Sequence, residues 1–77
     1  MWWVNSMKRK HVKVALMIAE LNRNDCLSFF TPNGALVVIE SVISGMVYTV
    51  KVNESVCGLW SYSGCVDYIR REVSSWD

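Results

Sequence analysis

Between Asp25 and Val52 the apolar positions fall into three runs rich in β-branched and aromatic residues. Two turn signals, Pro32-Asn33-Gly34 and Ser44-Gly45, separate the runs. This pattern predicts a three-stranded antiparallel meander. Pro32 suits the first central position of a type I turn, and Gly34 suits the left-handed position after it. The first loop should therefore have three residues and a glycine bulge. That register sets Phe29 opposite Val37 and Leu27 opposite Ile39. A two-residue turn at Ser44-Gly45 sets Ile43 opposite Met46, Ser41 opposite Tyr48, Ile39 opposite Val50 and Val37 opposite Val52.

Successive side chains on a strand point to opposite faces, and the two registers agree on the sorting. Leu27, Phe29, Val37, Ile39, Ile43, Met46, Tyr48, Val50 and Val52 are expected on the buried face. Cys26, Ser28, Phe30, Leu36, Val38, Glu40, Val42, Val47, Thr49 and Lys51 are expected on the other.

The pattern changes period on both sides of this region. Met7, His11, Val14, Ile18 and Leu21 recur at helical spacing, flanked by Ala15 and Met17, and predict a helix over 7–22 with Asn5 or Ser6 as its N-cap. Val12, Leu16 and Ala19 form a second, weaker apolar strip beside its charges. Residues 53–58 read as a connection, and Leu59-Trp60-Ser61-Tyr62 as its continuation or a short edge strand. Tyr62, Cys65, Val66, Ile69, Val73 and Trp76 then predict a second helix over 63–75, with Asp67 and Arg71 one turn apart as an ion pair. The expected fold is α+β and two-layered, a three-stranded antiparallel β-meander flanked by N- and C-terminal helices in the order α-β-β-β-α. The whole of 1–77 forms one small domain, with the helices mainly on one face of the sheet.

Composition sharpens this in two ways. The chain is 52% hydrophobic and carries four Trp in 77 residues. That is more apolar material than a core of this size easily hides, so part of it is expected at an interface. The formal charge of +1 conceals an asymmetry. Lys8, Arg9, Lys10 and Lys13 stand in residues 1–13 without an acid, while seven acids face four cations in the remainder. Met1-Trp2-Trp3-Val4 is an apolar extension whose indoles are expected to pack back on the domain.

The chemistry sought in the sequence is sparse. Three cysteines (Cys26, Cys57, Cys65) form neither a disulfide framework nor a zinc-binding spacing. Free thiols in a reducing compartment are the default reading, with a Cys57–Cys65 bridge left open. The apolar run Val14–Ala19 is too short for a signal-peptide core or a bilayer span, so a cytoplasmic location without membrane association is expected. His11 is read as bordering the core, and the four glycines as turn positions. No catalytic, cofactor-binding or metal-ligating set emerges, and the expectation is a protein that is not an enzyme and holds no cofactor.

Two surfaces remain. Phe30, Leu36, Val38, Val42 and Val47 on the outer sheet face are the candidate protein interface. Lys8, Arg9, Lys10 and Lys13 are the candidate contact to nucleic acid or an acidic partner. In size and element order the chain resembles small phage-encoded proteins that inhibit host defence systems, anti-CRISPR proteins among them, a likeness of architecture carried by no motif. It implies a regulator or inhibitor docking on a larger protein or nucleoprotein complex. Self-association into a homodimer is another use of the same surface, and a nucleic-acid-binding regulator acting through the basic first helix is the alternative.

Overall fold

A computed structural model describes residues 2–76, with side chains described from Arg9 to Trp76. The order is α1 (Trp2–Asn24), β1 (Cys26–Phe30), β2 (Leu36–Ile43), β3 (Val47–Val52), β4 (Ser55–Ser61) and α2 (Tyr62–Ser74). The fold is α+β as the pattern predicts, with a four-stranded antiparallel sheet in the order β1-β2-β3-β4 in place of three strands.

α1 begins earlier than its periodicity suggests. Neither glycine nor proline interrupts residues 2–7, so Asn5 and Ser6 lie inside the helix and do not cap it. Lys8, Arg9 and Lys10 consequently sit beyond the first turn, away from the positive end of the helix dipole. The packing of Trp2 and Trp3, the facing of Met7 and the placement of the Lys8 side chain lie outside the described residues. The helix ends where Asp25 takes a left-handed conformation (φ 55°). Its N–H donates to the Leu21 carbonyl at 2.9 Å, the closure of an αL C-terminal motif. The Asp25 carboxylate then accepts from the Ser44 hydroxyl at 2.9 and 3.0 Å, and its carbonyl accepts from Ser41 N–H at 2.9 Å. One residue thus ties the end of α1 to the far end of β2.

The first hairpin has the predicted loop. Gly34 N–H donates to the Thr31 carbonyl at 2.9 Å and Thr31 N–H to the Ala35 carbonyl at 2.8 Å. Gly34 sits at φ 89°, where a Cβ would be strained. Phe29 pairs with Val37 and Leu27 with Ile39. In the second hairpin, Val37–Val52, Ile39–Val50 and Ser41–Tyr48 are also in the expected register.

The last pair of that hairpin departs. A bulge between Ser41 and Ile43 sets Ile43 opposite Val47, not Met46. A bulge adds one residue to a strand and re-aims its side chains. Ile43 is thereby brought onto the side of Val47, and both Ile43 and Met46 are exposed, contrary to their expected place in the core.

β4 replaces the expected connection. Asn53 (φ 50°) and Glu54 (φ 71°) both adopt positive φ, which makes the link from β3 a two-residue turn of the type that favours hairpins. Val52 pairs with Ser55, Tyr48 with Trp60 and Val47 with Ser61. Cys57 is an extra residue between the Lys51–Val56 and Val50–Gly58 pairs, and Gly58 at φ 146° takes up the bulge in a conformation open to glycine. Ser61 then caps α2, its hydroxyl accepting from Gly64 N–H at 3.1 Å.

Both helices pack on one face of the sheet. Met17 and Leu21 from α1, and Cys65, Ile69 and Val73 from α2, close over Leu27, Val37, Ile39, Tyr48 and Val50. Val14 and Ile18 border this core, whereas His11 and Ala15 are exposed. The buried stripe of α1 is therefore rotated toward Met17. Aromatic pairs brace the margins, with ring centroids 5.1 Å apart for Trp60–Tyr68 and 5.9 Å for Phe29–Trp76. The Trp60–Tyr68 pair is edge-to-face, a contact that contributes about 0.5–1.5 kcal/mol beyond its burial. Tyr48 is buried, and its hydroxyl accepts from Gly45 N–H at 3.1 Å, holding the second turn onto the core.

Candidate functional site

With both helices on one side, the other face of the sheet has no covering layer among the described residues. The strand registers arrange that face in rows. Phe30 lies beside Leu36. Ser28, Val38, Lys51 and Val56 form the next row, and Cys26, Glu40, Thr49 and Leu59 the one after. Beyond them, Val42 sits in the bulge and Ile43 pairs with Val47, itself beside Ser61. Apolar side chains thus surround a polar centre of Glu40, Thr49 and Lys51. Several stand well into solvent, with Phe30 68%, Val42 58%, Val56 62% and Leu59 69% exposed. Single exposed apolar residues are ordinary, whereas large contiguous apolar patches are where interaction surfaces are found.

Of the candidate interface residues, Phe30, Leu36, Val38 and Val47 lie on this face by register, Leu36, Val38 and Val47 half-buried between their neighbours, and Val42 is exposed in the bulge. The structure adds Ile43, Val56 and Leu59 to them. Ile43 was hidden by the bulge, and Val56 and Leu59 by the irregular alternation of β4. Gly58 between them was the available signal, because an isolated glycine in a strand pattern indicates a bulge.

The three N-terminal cations with described side chains have different surroundings. Lys10 Nζ donates to the Ser74 carbonyl at 3.4 Å, in the last turn of α2, where the helix dipole favours a positive charge. Lys13 Nζ lies 5.0 Å from the centroid of the Trp76 ring, a cation–π contact. Arg9 is exposed. The expected ion pair of α2 takes another form, with Arg71 Nε donating to the Asp67 backbone carbonyl at 3.4 Å.

Beside Lys10 the helices leave an open groove of about 970 Å³. Its wall on α1 is Lys10, His11, Val14, Ala15, Ile18, Ala19 and Asn22, faced by Arg70, Arg71, Val73 and Ser74 of α2. Its cations come from positions about sixty residues apart, a meeting visible only in the folded chain. His11 belongs to this groove, and no cysteine lines it.

The three cysteines are free thiols, and Cys65 is buried. Burial pushes the Cys65 thiol above its ordinary value. Cys26 is raised too, by burial first and then by the charges of Glu40 and Glu20. Both stay protonated near neutral pH and are weak nucleophiles. The Tyr68 hydroxyl is raised by burial, then by Glu72 and Cys57. Among the described residues no three His, Cys, Asp or Glu side chains gather to hold a metal ion, and no helix is long and apolar enough to cross a membrane.

Comparison with known protein families, curated proteins and solved structures found no match to this chain.

Proposed function

We propose that this chain is a small non-catalytic binding protein, an inhibitor or regulator that docks through its outer sheet face on a larger protein or nucleoprotein complex. One observation carries the reading: helices cover one side of the sheet, while Phe30, Val42, Val56 and Leu59 stand exposed on the other. The strands make that face a rigid platform, so docking needs little ordering of the backbone. Glu40 and Lys51 at its centre would demand matching charges from the partner and so set specificity. A role like that of the phage proteins that block host defence complexes suits this design. Self-association through the same face is the competing use. A nucleic-acid-binding role for Lys8, Arg9, Lys10 and Lys13 is weakened by the engagement of Lys10 with Ser74 and of Lys13 with Trp76.

The test combines affinity capture from a lysate of the native cells with light scattering on the purified protein. Wild type is compared with Phe30→Ser and Val38→Ser. The expected result is a partner, or a second copy of the chain, retained by wild type and at least about tenfold weaker for the variants, since residues central to an interface contribute about 2 kcal/mol or more. A strict monomer whose captured proteins are the same for all three chains contradicts the proposal. A gel-shift titration with non-specific DNA and RNA at two salt concentrations separates the nucleic-acid reading, which predicts a salt-sensitive shift.

A further inference from the structure

We infer that the groove between α1 and α2 is a second docking site, and that it takes an acidic amphipathic helix of a partner protein. Its floor is aliphatic, made of Val14, Ala15, Ile18, Ala19 and Val73. Its edges carry Lys10, Arg70 and Arg71, with His11 beside them, and among the described residues no carboxylate lines it. Along α1 the lining residues recur every three to four positions from Lys10 to Asn22. At a rise of about 1.5 Å per residue they form a stripe about 18 Å long. That length matches roughly three turns of a helix laid along it.

The groove is only partly enclosed, whereas sites for small molecules bury about 70–90% of their occupant, which favours an elongated occupant. The lining argues against nucleic acid. A single strand in a cationic channel seeks aromatic platforms for its bases, and among the described residues no Trp, Tyr or Phe lines this groove. An amphipathic helix satisfies both features, placing its apolar stripe on the floor and its Asp or Glu side chains against Arg70 and Arg71, since Lys10 is already bonded to the Ser74 carbonyl. Arg71 still has donors to offer beyond its bond to the Asp67 carbonyl. The site lies on the helical layer, away from the sheet face proposed above, so the two surfaces can be tested separately.

The experiment uses fluorescein-labelled helical peptides of about fourteen residues, long enough to cover the stripe. Two peptides share one leucine stripe, flanked by Glu in one and by Lys in the other. A DNA duplex with the same label is the third probe. Binding to the full chain is followed by anisotropy at low salt. The Glu peptide is expected to bind at least about tenfold more tightly than the Lys peptide, since like charges brought together cost several kcal/mol. Its binding should fall at least about tenfold in Arg70→Glu/Arg71→Glu and in Ala19→Glu, and hold in Phe30→Ser. Ala19 and both arginines are exposed on helices, and unchanged circular dichroism confirms that the variants fold. Equal binding of the two peptides, or no binding of the Glu peptide at about 100 µM, overturns the inference. So does a duplex that outcompetes the Glu peptide and is itself lost on reversal of the arginines.

Discussion

Ile39→Asp is expected to leave the chain unfolded at room temperature, whereas Val38→Asp, one residue earlier, leaves it folded and melting within a few degrees of wild type. Ile39 is fully buried, with Leu27 and Val50 as its strand neighbours under the two helices. A carboxylate there gains no charged partner, because no charged side chain is buried among the described residues. An unpaired charge costs several kcal/mol to bury, and the lost apolar contact adds to it. At about 0.05–0.15 kcal/mol per residue, a domain this small has only ~4–12 kcal/mol of stability to lose. Val38 faces the other way, directly opposite Lys51, so an aspartate there meets a cation and water. Its cost is the modest strand preference of valine, about 1 kcal/mol or less. Circular dichroism melts of the two variants decide the matter. If both unfold or both fold, the helices do not cover the face assigned to them.

Leu21→Ala is expected to cost about 3 kcal/mol, within the usual ~2–5 kcal/mol range for truncating a buried leucine. Leu21 is fully buried and belongs to the turn of α1 whose carbonyl receives the Asp25 N–H. The side chain therefore seats α1 on the sheet at the point where the chain leaves the helix. At roughly 4–8 °C per kcal/mol in a domain of this size, the melting temperature should fall on the order of 15 °C. Leu16, on the same helix but 65% exposed, is the contrast, and Leu16→Ala should shift stability by about 0.5 kcal/mol or less. Urea titrations of both variants measure the difference. Equal losses would mean that α1 presents another face to the core.

The parts of this fold legible in the sequence are those dictated by local turn chemistry and strict alternation. Pro32-Asn33-Gly34 admits few loop geometries, and from it follow the register of β1 on β2 and the inward facing of Leu27, Val37 and Ile39. The register carries through Ser41–Tyr48 and fails at Ile43, where a bulge breaks the two-residue period. β4 was obscured for the same reason. Cys57 is its extra residue, and Glu54 fills a positive-φ turn position where glycine or asparagine is the usual signal.

Helix faces were legible only approximately. Spacing of three and four placed Cys65, Ile69 and Val73 inward in α2, but the apolar strips of α1 are broad enough to accept a rotation toward Met17. The outer-face site could be named from the register of the first two hairpins. The groove could not, because Arg70 and Arg71 reach Lys10 only through the packing of helices at opposite ends of the chain.

Photo-crosslinking from the outer sheet face shows whether that face docks on another protein. A benzophenone amino acid is placed at Leu59, on the exposed row beside Thr49, and in a separate chain at Arg23, exposed near the end of α1. Both are irradiated in a lysate of the native cells. The expected result is a discrete adduct from position 59, with a partner or with a second copy of this chain, that is absent from position 23. No adduct from position 59, or the same adducts from both positions, would contradict docking through this face.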